Sequence, residues 1–430
     1  MSKNIDAGVA VIAGASGIEK AIIPNVASEV RHGWRVLAIL SALMGFASIS
    51  TDLYLPAMPA MGRALGAGAG AVEWTVSGYL IGFCLGQLFW GPVGDRYGRR
   101  RPVVLGILLF VIGSAGCALA GGAWTVIGWR VLQAIGASAG VVLGRAMVRD
   151  LYEGNRAAQM MSTLMSVMAI APLLGPIVGG QVLALAGWRA IFWTLVGVGA
   201  ATLAALLTLP ETLSAERRSV DSLAQAFAGY GELLRDRRLL AYAAAGGFYY
   251  GGIFAYIAGS PFAYIGYYRL PPRLYGLVFG AGILGIMATN SLNARLVTRL
   301  GGDRLLLGGA AVAAVAGIGL AVAARSDWGG LWGLAGPLFL FVAASGFIVA
   351  NSIAGALAGF PGRAGAVSAL VGSMQYGSGI VGSGLVGMFA DGTPRPMAFV
   401  IVAAGLGSLL SARLLVSYGR PCAPPPRSHI

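Results

Sequence analysis

Two charged residues sit deep inside long apolar runs of this sequence, Asp52 in Ser48-Ile49-Ser50-Thr51-Asp52 and Arg130 in Gly128-Trp129-Arg130. A charge at membrane depth costs about 2.5–3.5 kcal/mol on insertion scales, so each is a functional candidate by default. Desolvation favours the neutral form of a carboxyl and a neighbouring cation favours its charged form, so an acid beside an arginine can exchange a proton as its surroundings alternate. Asp52 lies about seven residues from the end of its run near Pro59, and Arg130 about seven from Ala123, which puts both roughly 10 Å deep from one side. They can then face each other across one cavity. The alternative is a pair that only neutralises itself and fixes packing, although a buried pair is weak evidence for stability.

Softer signals surround this pair. Ser41, Gly45, Ser48 and Asp52 form a narrow small-and-polar stripe at helical spacing, and Arg130, Gln133, Ala134, Ala137 and Ser138 form another. Phe248, Tyr249, Tyr250, Phe254 and Tyr256 make an aromatic wall suited to a flat or cationic ligand, and equally suited to packing. Asn290, Asn293, Asn351, Gln375 and Tyr376 read as cavity-lining groups or interhelical hydrogen bonders. Gly78, Gly82 and Gly86 recur every fourth residue, which marks a close-packing helix face. The run Gly175-Pro176-Ile177-Val178-Gly179-Gly180, with Pro172 a turn earlier, should bend its helix and admit another backbone.

The elements that hold these residues are membrane spans. Of 430 residues 57% are hydrophobic and only 11% charged, and mean hydropathy is +0.77. That charge is too sparse for the surface of a soluble globule, which carries about 25% charged residues. Runs of about 20 apolar residues fall at roughly 35–57, 72–92, 102–121, 123–145, 160–184, 189–209, 239–261, 274–294, 304–324, 331–355, 365–389 and 396–417. The expected fold is therefore an all-α membrane protein of twelve transmembrane helices with both termini on one side. Arg96/Arg99/Arg100/Arg101, Arg145/Arg149/Arg156 and Arg295/Arg299/Arg304 cluster on the terminal side, while the opposite loops hold only Arg63, Arg189, Arg269, Arg273, Arg325 and Arg395. This bias makes the terminal side cytoplasmic. The expected layout is a disordered cytoplasmic tail (1–33), a six-helix half (34–209), a cytoplasmic loop (210–238), a second six-helix half (239–417) and a short cytoplasmic tail (418–430). Lys3, the apolar stretch 7–13 and Ala13-Gly14-Ala15 imitate a signal peptide, but cleavage would leave an outside terminus that the loop charges oppose. The loop Asp95-Arg96-Tyr97-Gly98-Arg99-Arg100 is weakly echoed at Thr298-Arg299-Leu300-Gly301-Gly302-Asp303-Arg304, as two same-direction repeats require.

Several chemistries are excluded by residue count. The two histidines, His32 and His429, lie near the termini, so no histidine-based zinc site or Ser-His-Asp triad fits within the body. Cys84, Cys117 and Cys422 form no CxxC or disulfide framework. Lys3 and Lys20 are the only lysines and neither completes a Walker A loop, so uphill movement cannot use an ATPase of this chain. The net charge of +14 lies in loop clusters rather than on a soluble patch, so nucleic acid is not the expected partner.

The run Gly91-Pro92-Val93-Gly94-Asp95-Arg96-Tyr97-Gly98-Arg99-Arg100 resembles the signature loop between helices 2 and 3 of the major facilitator superfamily. Arg130-Val131-Leu132-Gln133-Ala134-Ile135-Gly136 resembles the proton-linked helix 4 motif of its drug exporters, and Gly175-Pro176-x-x-Gly179-Gly180 the helix 5 motif of its antiporters. More narrowly, Asp52-Leu53-Tyr54-Leu55-Pro56-Ala57-Met58-Pro59 and Pro210-Glu211-Thr212-Leu213 resemble the Bcr/CflA subfamily, which includes bicyclomycin and chloramphenicol exporters of bacterial inner membranes. The resemblance covers about residues 33–417. It implies alternating access by rocking halves and export of small drugs in exchange for protons. Asp52 and Arg130 take the coupling positions by match, and Gly91, Asp95, Arg96, Gly98 and Arg99 the gate loop, in which Asp95 can cap a helix N-terminus or pair with an arginine. The sequence departs from some drug exporters at Met44, where a second acid is absent, and a single membrane acid points to a smaller proton count and to neutral or zwitterionic cargo.

The expectation is thus an inner-membrane proton/drug antiporter, monomeric, without metal or cofactor, whose partners are the bilayer, protons and a small molecule. An exporter of a metabolite such as an amino acid, or an uptake symporter, is the same-fold alternative. A membrane enzyme or receptor lacks any visible catalytic constellation. With one proton per neutral cargo, a membrane potential supplies about 2.3 kcal/mol per 100 mV, enough for a gradient of roughly fifty-fold.

Overall fold

The computed structural model describes residues 26–152, 154–214, 216, 218, 231–360 and 364–418. Most of the expected N-terminal tail, the middle of the central loop and nearly all of the C-terminal tail lie outside the described residues. The first half contains α1 (Val26–Asp52), a 3₁₀ turn (Leu55–Ala57), the short α2 (Met58–Ala64), α3 (Ala69–Tyr97), α4 (Arg100–Leu119), α5 (Ala123–Leu151) and α6 (Gly154–Leu206). The second contains α7 (Arg237–Pro261) with a following π-turn (Phe262–Tyr267), α8 (Pro272–Leu300), α9 (Gly302–Ser326), α10 (Gly330–Ala343), α11 (Ser345–Ala358), α12 (Ala364–Met388) and α13 (Arg395–Tyr418). No strand occurs among the described residues.

Nine helices among the described residues are long and apolar enough to cross a membrane, fewer than the twelve runs of the sequence. Part of the difference has a physical cause. The fifth and sixth runs, both within α6, are two helices that follow each other without a loop and meet in a kink at Gly187, where φ is +79° and the backbone is not helical. A positive φ there suits glycine, which has no Cβ to clash. The seventh run, α7, carries paired glycines and four tyrosines, which dilute its hydropathy.

Near-absent side chains bring helices together. A Cβ on Gly82 would strike the Val131 carbonyl and one on Gly86 the Ser138 hydroxyl, so the glycine face of α3 lies directly on α5. α3 also packs on α12, α6 on α8, and α7 on α12 and α13. Proline placement breaks α1 at its functional end: Asp52 is its last residue, Pro56 falls in the 3₁₀ turn, and the residue before a proline disfavours continued α geometry. The carboxyl therefore sits at a helix break rather than in the middle of a regular helix.

The two halves meet on the face opposite the Asp95 loop. A Cβ on Gly70 would overlap the Gly387 carbonyl, the Ser77 and Ser383 hydroxyls are 2.8 Å apart, and a Cβ on Gly276 would lie 2.7 Å from the Ile177 nitrogen. Toward the Asp95 face the halves part around a cavity of about 610 Å³, lined by Gln87, Arg145 and Arg149 from the first half and Leu357, Ser368 and Gln375 from the second. This conformation is closed on one side and open on the other.

Candidate functional site

Arg130 is fully buried at the centre of the first half. Its guanidinium lies between two rings, 4.2 Å from the Tyr54 centroid and 4.3 Å from that of Tyr79. Nη1 donates to the Ser50 carbonyl (2.8 Å) and to Gln133 Oε1 (2.7 Å), while Nε and Nη2 have no hydrogen-bond partner. The rings are themselves anchored, Tyr54 to Thr75 at 3.1 Å and Tyr79 to Ser50 at 2.6 Å. Cation–π contact with two faces lowers the cost of burying this charge, and the planar fork of arginine suits the slot as lysine would not.

Asp52 stands in front of this clamp. It is 5% exposed and lines a central cavity of about 250 Å³ with Ser48, Tyr79, Phe83, Tyr250, Phe254 and Tyr376, drawn from both halves. It forms no ion pair with Arg130; the ion pairs among the described residues are those of Arg99. The picture of the two facing each other across one cavity is therefore corrected: both belong to the first half, with the acid at the wall and the arginine behind it. Self-neutralisation by contact is excluded in this conformation for the same reason. The helix 5 motif backs the acid. A Cβ on Gly175 would lie 2.9 Å from the Asp52 Cβ, and one on Gly179 would strike the Leu53 carbonyl. A Cβ on Gly180 would lie 3.1 Å from the Pro272 carbonyl oxygen, so the same motif touches the second half. Pro176 lies within the helical run of α6.

The Asp95 loop is tied to its own half. Arg99 donates from Nη1 to Asp95 Oδ1 (2.6 Å) and from Nε to Asp150 Oδ2 (2.8 Å). Of the two roles expected for Asp95, arginine pairing is the one present. The N-terminus of α4 is capped instead by Glu211, whose carboxylate accepts from the backbone nitrogens of Arg99 (2.8 Å) and Arg100 (3.2 Å). Burial pushes the Glu211 carboxyl up, but four backbone N–H groups, of Arg99, Leu213, Arg100 and Thr212, outweigh it and hold it below its usual value. Gly98 turns at φ +89° directly over this carboxylate, Gly91 lines the open cavity, and Arg96 lies 5.8 Å from the Tyr97 ring.

The other expected cavity residues divide. Ser48, Tyr250, Phe254 and Tyr376 line the central cavity, and Gln375 with Tyr376 the open one. Gln133 does not reach a cavity, because its side chain bridges Arg130 and the Ser114 hydroxyl (2.7 Å). Tyr249 is wholly buried in the second half, donating to the Phe341 and Val342 carbonyls at 2.7 and 3.0 Å. Tyr256 stacks on Phe279 and borders a separate pocket on the flank of the bundle. Asn351 donates to Asn293 (2.7 Å) beside the Asp303 loop, and Asn290 lies on α8 outside the central cavity. One turn separates Tyr79, Phe83 and Gln87 on α3, a cavity stripe that helical spacing could have revealed. Arg145 and Arg149, which the sequence presents as loop charge, line the open cavity. Glu73 is a second buried acid, 3% exposed, so the expectation of a single membrane acid is also corrected.

Comparison with known proteins agrees with this architecture. Residues 36–383 match the Major Facilitator Superfamily. The chain is 35% identical over 395 residues to the uncharacterized MFS-type transporter YdgK of Bacillus subtilis (strain 168), covering 90% of this chain and 96% of that one. It is 32% identical over 383 residues to a bicyclomycin resistance protein homolog of Haemophilus influenzae (strain ATCC 51907 / DSM 11121 / KW20 / Rd), covering 89% and 95%. Its fold is similar to that of the xylose transporter XylE from E. coli in a partially occluded inward-open conformation, with a TM-score of 0.68 at 16% identity over 90% of this chain and 97% of that one. An all-helical bundle with a helix-break acid, a buried arginine and the Asp95 loop, together with these matches, identifies the chain as a multi-pass membrane transporter that belongs to the Major Facilitator Superfamily, with relatives of the Bcr/CflA drug-exporter type.

Proposed function

We propose that this transporter exports small drugs of the bicyclomycin or chloramphenicol kind in exchange for protons, with Asp52 as the group that carries the proton. The observation that carries this reading is the Asp52 carboxyl at the wall of a cavity shared by both halves, with the unpaired donors of Arg130 behind it. The named relative supports the cargo class, since it is a bicyclomycin resistance protein homolog. In the conformation open toward the Asp95 loop, drug entering among Phe83, Tyr250, Phe254 and Tyr376 meets Asp52 and favours release of its proton to that side. The halves then rock, the cavity opens to the opposite side, and a proton taken up there by Asp52 expels the drug and returns with the carboxyl. Arg130 limits the cost of the charged carboxylate while the drug is bound, through Nε and Nη2.

The basic clusters support a cytoplasmic Asp95 face and cytoplasmic termini, in the bacterial inner membrane, with a monomer as the working unit and the proton gradient, not a cofactor, as the energy source. Arg145 and Arg149 line the open cavity and none of its described lining residues is an acid, which favours neutral, zwitterionic or anionic cargo over organic cations. The test is proton release from acidified inverted membrane vesicles on adding a drug panel that includes bicyclomycin and chloramphenicol. Release by the wild type and none by Asp52→Asn supports the reading, whereas equal release by both would move the proton to another group.

A further inference from the structure

Glu73 lies one turn into α3, on the closed face, where the first half meets the second. It is buried, its Oε2 has no hydrogen-bond partner, and it lines a small cavity formed with Gly259 and Phe262 at the end of α7, Ala390 and Thr393 between α12 and α13, and Met397 on α13. No cation is among the described residues that line that cavity. Among the described residues, the charged group acting on Glu73 is Asp391 of the α12–α13 turn, an acid whose Oδ1 is occupied by Thr393 N (2.8 Å) and Thr393 Oγ1 (2.7 Å). The lining residues of α7, the π-turn and α13 bring no titratable side chain. On either side of Glu73 the seam is tight: Gly70 abuts the Gly387 carbonyl, Trp74 lies against Gly384 and Gly387, and Ser77 meets Ser383.

A carboxylate whose buried oxygen has no donor and whose charged neighbour is an acid is a poor occupant of such a seam, whereas a protonated carboxyl fits it. We propose that Glu73 is a second proton site, a latch that lets this seam shut only when it carries a proton. When the seam opens, water reaches the carboxyl, the O–H bond breaks and the proton leaves to that side; when the seam closes, a proton from the same side re-forms it. Because uptake and release occur on one face, the latch adds no transported proton. It makes the return of the empty carrier depend on the pH of that side alone. The inference builds on the alternating-access reading above but concerns a different acid and needs no drug.

The test places spin labels at Gly121→Cys and Trp328→Cys, on the closed face of the two halves, in protein with its native cysteines replaced by alanine and reconstituted in nanodiscs. Asp52→Asn in the same chain removes the titration of the cavity acid. Distances are followed from about pH 5 to about pH 9. The expected result is widening as pH rises in Asp52→Asn, loss of that widening when Glu73→Gln is added, and its return with Glu73→Asp. A merely structural role for Glu73 would not give pH-dependent rescue by aspartate. Widening with an unchanged midpoint in the Glu73→Gln protein, or none in Asp52→Asn alone, overturns the proposal. Either result leaves the drug-driven proton release described above to be judged separately.

Discussion

If the seam between α6 and α8 holds the closed face shut, a single methyl group should open it. Gly276 is the place to add one, since a Cβ there would lie 2.7 Å from the Ile177 nitrogen and 2.9 Å from its Cα. These are backbone atoms, so no side-chain rotation can relieve the overlap, and the halves themselves must move apart. Overpacking of this kind costs typically 1–3 kcal/mol. The cost falls on the closed seam and vanishes when α6 and α8 separate, so Gly276→Ala should shift the equilibrium toward the opposite opening by about 5- to 150-fold. The intrinsic helix preference of alanine, roughly 1 kcal/mol over glycine, acts on both conformations and cancels. Distances between labels at Gly121→Cys and Trp328→Cys report the shift, and Gly128→Ala is the control because nothing lies within 4 Å of its Cβ position. An unchanged distance distribution in folded Gly276→Ala protein would refute the reasoning, since the contact would then not be what keeps this face closed.

Other outcomes follow from the same geometry. Tyr249→Phe should lower stability by about 0.5–1.5 kcal/mol through loss of its carbonyl bonds yet leave drug export unchanged, as thermal unfolding beside a transport assay would reveal. Tyr376→Ala should change the order of preference within a drug panel while proton release still accompanies each exported drug. Arg130→Lys should cut export at least tenfold, because a lysine cannot fill the slot between Tyr54 and Tyr79; a rate within twofold of wild type would count against a shaped site. Glu211 has a depressed pKa in the fold, so its capping contribution is fully present above the ordinary carboxyl value of 4.5 and is lost as pH falls through the folded value. The stability gap between wild type and Glu211→Gln should therefore be constant from neutral pH down to about pH 5 and close only below that.

What the sequence disclosed, and what it hid, follows from how far each property reaches along the chain. The depth of Asp52 and Arg130, the Asp95 loop and the glycine-proline run depend on local order and are legible as such. Their partners are not, because the clamp on Arg130 is assembled from two rings on different elements. Tyr249 and Tyr250 are adjacent and chemically alike, but one helical step turns the first into the second half's interior and the second into the cavity. Nothing in an aromatic run says which of them meets a ligand. Glu73 hides for a related reason: it falls at the start of an apolar run, where an acid normally reaches water, and is buried by residues of the distant α12–α13 turn. The fifth and sixth runs are separated only by the kink at Gly187, a one-residue break that apolar run lengths do not locate.

The central claim, that Asp52 couples drug export to proton entry, is tested most directly in proteoliposomes preloaded with labelled chloramphenicol or bicyclomycin. Two rates are measured: efflux driven by an imposed pH difference, and exchange of labelled for unlabelled drug without one. The account predicts that Asp52→Asn retains exchange but loses all acceleration by the pH difference, because the cavity survives and the proton carrier does not. Gradient-driven efflux by Asp52→Asn at the wild-type rate would contradict it.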